Sequence, residues 1–412
     1  MRYIGLLSAA AAVAMAGGYK IPESSINGTA LSAAYVANAH GADAAYYNPA
    51  AMVYNEDANL FEADMTYIGL SSIDYASTSG AYNIDSKSES FLVPTLHFAS
   101  KKLGDNGARV GLSVVVPAGL SKRWQNAPAI YSAEEFTLET VEVNPSFAVP
   151  ISDTVSFGAG FRIIHTSGVV KSSASASRDL EGDSIDYGYN LALMYKPSKE
   201  LSLAATYRSN IDLSVEGNAK LYSGSTLVYP NVVVTDGSAN VSVPVPAALN
   251  LAAAYTFGSG TTIEAVFERT FWSSYKNLDF GYSVPLSFIS VPLGAAFDDP
   301  KPKNYEDTNS YRLGLTQKYD KWTAMAGVAY DETPVPEATL GYELPDSDAW
   351  IVSMGGKYKM DEHWTFGLAG LIDIKKDRVV HQSLSSSNTN PVNGEFSNAR
   401  AYLVTAGIEY RF

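Results

Sequence analysis

Catalysis would most readily be sought at the histidines, and the five in this 412-residue chain (His40, His97, His165, His363 and His381) are scattered along it. None belongs to an HExxH pair able to hold zinc, and no GxSxG turn presents a serine nucleophile. The adjacent carboxylates Glu134 and Glu135 sit in a polar stretch where solvation accounts for them. With no cysteine there is neither a thiolate metal site nor a disulfide framework. No pattern calls for a metal or a cofactor. What remains is a set of basic residues on otherwise polar strand faces: Arg162 and Arg208, with Lys171 and Lys276 nearer strand ends. Buried cations of this kind either pair with neighbouring acids such as Asp212 or hold an anionic ligand.

A second place of interest is GLSVVVPAGLSKRW, residues 111–124. It begins as an alternating strand and then meets Pro117 and Gly119 before any polar turn. Proline cannot donate to a ladder and glycine weakens one, so in a soluble sheet this would read as an edge strand or a bulge.

The elements that would position these residues are strands. The chain has 27 Tyr and 32 Gly with only 17% charged residues, and its hydrophobicity comes in short alternating pieces. In 200–215, Leu201, Leu203, Ala205, Tyr207, Ile211, Leu213 and Val215 share one parity, whereas Ser202, Thr206, Arg208, Asn210, Asp212 and Ser214 share the other. The same period recurs in 184–196, 349–358 and 399–412. Residues 237–263 carry no charge, yet Pro244 and Pro246 argue against a spanning helix there.

Compartment follows from the first residues. Arg2, the uncharged YIGLLSAAAAVAMA and the small-x-small end Ala14-Met15-Ala16 predict a secretory signal peptide over 1–16, too short for an anchor. Cleavage after Ala16 leaves Gly17 first. The 29 basic and 43 acidic residues give −14, a balance that argues against nucleic acid or an anionic surface as partner.

Connections alternate between tight turns (151–153, 197–200, 258–260, 319–321, 360–362) and long polar or irregular stretches. Outer-membrane barrels have short periplasmic turns and long outer loops. The predicted class is therefore all-β: an antiparallel transmembrane barrel of about fourteen strands over 56–412, with aromatic girdles at Tyr195, Phe257, Tyr319, Trp322 and Trp364. The Ala-rich segment 17–55 cannot join a wall that already closes, and is expected inside it as a luminal hatch, with Asn48, Pro49 and Ala50 fixing the turn toward the first strand.

A Gly-aromatic start, this Ala/Gly-rich plug with NPA at 48–50 after Asp43, then PTLHF (94–98), PAGLSKRW (117–124), YRSNI (207–211), YDETPVP (330–336) and LPDSDAWIVSMGGKY (344–358) resemble, in order and spacing, the outer-membrane long-chain fatty-acid and hydrocarbon transporters of the FadL/TodX type. The resemblance spans the whole mature chain. It implies a fourteen-stranded barrel closed on its axis by the hatch and opened sideways by a kink in the third strand, which assigns Pro117, Ala118 and Gly119 to a lateral gate. It also implies outer-membrane location, uptake of fatty acids or hydrocarbons, and release into membrane lipid. A basic pair holds the carboxylate in the family, and the nearest positions here are Lys171 and Lys276. Ligand contact is further expected at Tyr19 and Ile21, and at Leu286, Phe288 and Ile289 in the uncharged loop 281–297, since exposed apolar patches mark binding surfaces. A second apolar loop lies at 221–234. The terminal IEYRF, ending in Phe412, resembles the signature read by the outer-membrane insertion machinery. The alternatives are a general or gated diffusion porin, which would need an open lumen, and a barrel enzyme with Ser and His meeting at the rim.

Overall fold

The computed structural model describes residues 17–412 except 175, 224–231, 284–296, 298 and 382–391; the signal-peptide segment therefore lies outside the described residues. Fourteen antiparallel strands form a closed wall. The first is Leu60–Leu70, the second Glu89–Ala99, and the third Arg109–Val115 continued by Gly119–Arg123. The fourth, fifth and sixth are Glu135–Pro150, Val155–Ser172 and Ala176–Tyr195. The seventh joins Leu201–Arg208 to Ile211–Ser223, and the eighth joins Val232–Val245 to Ala248–Thr256. Thr261–Thr270, Thr308–Lys318, Trp322–Asp331, Ala349–Lys359, Trp364–Lys375 and Arg400–Arg411 complete the wall as the ninth to fourteenth.

Closure is direct: the first strand pairs with the fourteenth from Leu60↔Arg411 to Leu70↔Ala401 and with the second from Leu60↔Ala99 to Leu70↔Glu89. A closed ladder satisfies backbone groups that lipid cannot. Exposed Tyr195, Phe257, Tyr319 and Trp322 mark the periplasmic girdle.

Three strands are interrupted at one height, and the interruption changes which face looks inward. The breaks fall at 116–118, 209–210 and 246–247, roughly 8–10 residues from the periplasmic turn, close to the ~9–11 residues a tilted strand needs to cross the apolar core. Below the break in the seventh strand, Thr206 points inward and Leu203 outward; above it, Ile211, Leu213 and Val215 are buried and Asp212 is exposed. The single greasy face read from 200–215 is thus two faces, lipid-facing below and cavity-facing above. A slip of one residue reverses every side chain, and the break supplies that slip. Asp212, expected among the luminal acids, consequently stands outside.

The hatch fills the lumen below this level. Ser25 caps the helix Ile26–Ala30 by accepting from the Gly28 N–H at 3.0 Å; a helix Ala44–Tyr47 and a 3₁₀ turn Pro49–Tyr54 follow. Its small residues pack against wall alanines, including Ala99, Ala148, Ala192 and Ala252. The approach is close enough that a Cβ at wall position Gly158 would stand 2.4 Å from the Ala50 nitrogen, and one at Gly327 2.2 Å from the Leu31 carbonyl carbon. Such contacts explain why both surfaces are built of Ala and Gly.

Candidate functional site

The third strand carries Val116, Pro117 and Ala118 opposite only Thr140 and Val141 of the fourth, since the register runs from Val115↔Glu142 to Gly119↔Glu139. Three residues against two make a bulge. On its other edge, the third strand pairs with the second only from Gly111↔Ala99 to Val114↔Leu96, so the rest of the second strand has no ladder partner on that side. The two strands rejoin above, where Arg123 Nη1 meets Glu89 at 2.6 Å and the Ser121 hydroxyl donates to the same carboxylate at 2.5 Å. Between lies an aperture in the hydrogen-bonded wall.

The start of the hatch stands where the second strand would. Ile21 N–H donates to the Pro117 carbonyl and Gly119 N–H to the Tyr19 carbonyl, each at 2.9 Å, with Lys20 bridging Ala118 in antiparallel sense. Pro117 has no N–H to return the bond to Ile21. Pro117, Ala118 and Gly119, expected at a lateral gate, fall where the wall ladder is interrupted, and a three-residue substitute strand answers their exposed groups. Ile21 packs in one apolar cluster with Val93 and Val116, one from each flank of the aperture.

This N-terminal segment also divides two cavities. The outer one, about 760 Å³, is lined by apolar side chains such as Leu120, Leu138, Leu180, Val215, Val243 and Phe280, with Tyr19 at its boundary. The inner one, about 800 Å³, is lined by Lys20, Ile21, Pro117, Arg162, Arg208 and Arg312 among others. Tyr19 is fixed between them: its hydroxyl donates to the Pro244 carbonyl at 2.5 Å, and its ring meets Trp272 edge-on at 4.8 Å. Burial raises the Tyr19 phenol pKa, so it remains a neutral donor. Gly18, at φ +88°, donates its N–H to Asp346 Oδ2 at 3.1 Å, and a Cβ there would strike Trp272 at 2.5 Å.

Arg162 and Arg208 converge on Glu142, which is fully buried: Arg162 Nη2 approaches one carboxylate oxygen at 3.0 Å, Arg208 pairs with the other and lies over the Tyr46 ring at 4.4 Å. Their acid is Glu142 on the fourth strand, not Asp212. Lys171 and Lys276 line neither cavity; Lys171 stands 3.5 Å from Asp179, and Lys276 is exposed. Leu286, Phe288 and Ile289, with most of the loop at 281–297 and part of that at 221–234, lie outside the described residues.

In the hatch, Asn48 donates through Nδ2 to the Val36 carbonyl at 2.8 Å, Pro49 opens the 3₁₀ turn, and the Ala50 carbonyl accepts from the Ser156 hydroxyl at 2.8 Å. Asn48 thus links two parts of the plug and does not merely shape its own turn. Glu264 of the ninth strand accepts from three consecutive hatch N–H groups, Val36, Ala37 and Asn38, at 2.7, 2.5 and 3.2 Å.

Trp272, Tyr275, Leu278 and Phe280, which turn inward after the ninth strand, escaped the sequence reading. The first three share an i, i+3, i+6 spacing that signals a buried face, but they lie in a stretch marked as loop by its Ser, Asn and Lys residues.

A closed fourteen-stranded wall, a luminal plug and a bulged strand answered by the N-terminal segment define an outer-membrane barrel organised around an apolar interior. The chain belongs to the outer membrane protein transport protein family (OMPP1/FadL/TodX), which it matches over residues 7–412. It is 25% identical over 415 residues to the long-chain fatty acid transport protein of Escherichia coli strain K12, covering 89% of this chain and 87% of that protein. Among solved structures, a Pseudomonas aeruginosa FadL homologue superposes with TM-score 0.82 at 21% identity, covering 96% of this chain and 100% of the other. The P. putida toluene transporter TodX does so with TM-score 0.70 at 18% identity, covering 93% and 98%.

Proposed function

We propose that the protein carries hydrophobic molecules of the fatty-acid or hydrocarbon class passively across the outer membrane, and that they leave sideways into lipid. The ligand is captured by apolar outer loops, lodges in the outer cavity, passes Tyr19 and exits between the second and third strands at Pro117, Ala118 and Gly119. The observation that carries this reading is the seat of Tyr19–Ile21 in the third-strand bulge, with the outer cavity touching Tyr19 and the inner cavity touching Ile21 and Pro117. Movement of this one segment joins both cavities to the aperture.

Energetics favour the route. Each buried CH₂ contributes about 0.8 kcal/mol on leaving water, so lipid is a downhill destination for an acyl chain and the aqueous periplasm is not. The hatch, sealed against the wall below the cavities, makes an axial path the harder one. At the periplasmic end, the exposed Phe412 ring is available to the insertion machinery.

Native mass spectrometry of the purified barrel tests the reading. A hydrophobic molecule should accompany the wild type and be lost when Val243→Trp fills the outer cavity. No bound molecule, together with uptake of hexadecanoate and toluene no faster than in cells lacking the protein, would overturn it.

A further inference from the structure

The outer cavity is lined mainly by apolar side chains, with Thr137, Asn218 and Asn240 among its few polar neighbours, and one buried ion pair stands in its wall. Lys303, ahead of the tenth strand, and Glu343, between the eleventh and twelfth, both line it and pair directly. Their side chains are 6% and 14% exposed. The Lys303 backbone is held on two sides: its N–H donates to the Lys276 carbonyl at 2.7 Å, and its carbonyl accepts from the Thr339 hydroxyl at 2.5 Å. Glu181, the other carboxylate among the described lining residues, is exposed on the outer face of the sixth strand.

Buried ion pairs contribute little net stability, because desolvation offsets the attraction, and apolar replacements are often as good. A pair kept at the wall of a greasy cavity therefore calls for an explanation in what it does to an occupant. To a hydrocarbon, a neutralised pair presents no obstacle. A carboxylate loses its hydration on entry and must find a cation with free donors. Here the cation lining the cavity is already occupied, and the incoming charge would stand beside Glu343. Arg178, near the same end, lies over the Phe280 and Phe297 rings at 5.1 and 5.7 Å, and Lys171 is engaged by Asp179. Residues 224–231, 284–296 and 382–391 contain no lysine or arginine that could supply another.

We infer that Lys303 and Glu343 form a charge filter that sets the outer cavity for uncharged apolar molecules and rejects free carboxylates. The inference rests on the reading of this cavity as the ligand site. Glu343 is the specificity-determining member: it supplies the repulsion, and it withholds Lys303. Replacing it by Gln keeps the volume, frees the ammonium and should turn the cavity into one that accepts carboxylates.

The test compares two probes of equal chain length, ¹⁴C-hexadecane and ¹⁴C-hexadecanoate at pH 8, retained by the purified full-length barrel in detergent, with heat-unfolded barrel as blank. The wild type should retain hexadecane at least tenfold more tightly than hexadecanoate. Glu343→Gln should shift that ratio at least tenfold toward hexadecanoate with hexadecane changed less than twofold. The double variant Lys303→Gln/Glu343→Gln, which holds no unpaired charge, should bind hexadecane like the wild type and still reject hexadecanoate; it decides the matter where the single variant does not fold. Equal retention of both probes by the wild type, an unchanged ratio in Glu343→Gln, or a double variant that accepts hexadecanoate overturns the filter while leaving the cavity as the ligand site. Retention of neither probe by the wild type overturns the cavity reading itself, and the filter with it.

Discussion

Gly119 donates its backbone N–H to the carbonyl of Tyr19 at 2.9 Å, across 100 positions of sequence, and this bond joins the third wall strand to the start of the hatch. A wall strand in lipid needs a neighbour on each edge. Where the second strand departs, residues 19–21 take its place, and Pro117 ensures that one of the possible cross-bonds is never formed. The clasp is therefore weaker than a continuous ladder.

Removal of residues 17–21 takes away the clasp and Tyr19 while sparing the anchored body of the hatch. Uptake of labelled hexadecane or toluene should be abolished, and the heat-modifiable folded band on gels should persist. Unchanged uptake would show that the segment does not control passage.

The latch between hatch and wall predicts an electrical phenotype. Glu264→Ala leaves three hatch N–H groups without their shared acceptor, each charge-assisted bond being worth about 1.5–3 kcal/mol. The loop at 36–38 should loosen and single-channel ion conductance should rise, with Asn48→Ala acting in the same direction through the lost bond to Val36. Wild-type conductance in both variants would place the seal elsewhere.

Glu142 predicts stability. It is the common acid of Arg162 and Arg208, and Arg162 is 1% exposed at the side chain. Glu142→Gln leaves two guanidinium groups without their charge partner, and breaking a buried pair from one side costs about 3–5 kcal/mol. Urea unfolding in lipid vesicles should show a loss of that order; a loss below about 1 kcal/mol would mean that water or other acids compensate.

These residues also show what could be read from sequence. Strands such as 349–359 were legible because Val352 and Met354 alternate with Ile351 and Ser353 against lipid on one side and hatch on the other. Pro117 and Gly119 were legible because a closed wall gives proline no harmless edge. The flip at Ser209 and Asn210 was not, since the alternation in sequence continues through it unbroken while the break turns the apolar parity from the bilayer to the cavity. The Lys303–Glu343 pair was hidden for another reason. The two residues lie 40 positions apart in separate connections, and no local pattern joins them.

Glu23 of the hatch predicts a pH dependence. Burial pushes its carboxyl from an ordinary 4.5 up to about 8, with Arg312 opposing and Asp331 and Asp373 adding to the rise. A raised carboxyl pKa means that the folded state holds a proton that the unfolded state releases between about pH 4.5 and 8, so this residue's contribution to stability falls as pH rises through that window. Glu23→Gln should therefore match the wild type near pH 4 and be the more stable of the two near pH 9. The same difference at both pH values would show that Glu23 stays ionised in the folded barrel.

The bulge in the third strand gives the most direct test of route. The bulge exists because Val116, Pro117 and Ala118 face only Thr140 and Val141. Deleting Ala118 and replacing Pro117 by Val leaves two residues against two and restores the missing ladder donor, and β-branched valine favours the extended strand. The fourth strand keeps one inward parity through this region, with Glu142 and Leu138 both facing the interior, so a continuous third strand fits it without turning Leu120 out of the cavity. The aperture should close against the second strand. Hexadecane should still bind in the outer cavity, the barrel should be no less stable, and uptake should stop if the ligand leaves sideways. An axial route would keep its path, because the contacts of the hatch body at Glu264, Asn48 and Ser156 are unchanged and only residues 19–21 lose their seat. Normal uptake in a variant whose third strand is confirmed straight would refute lateral release.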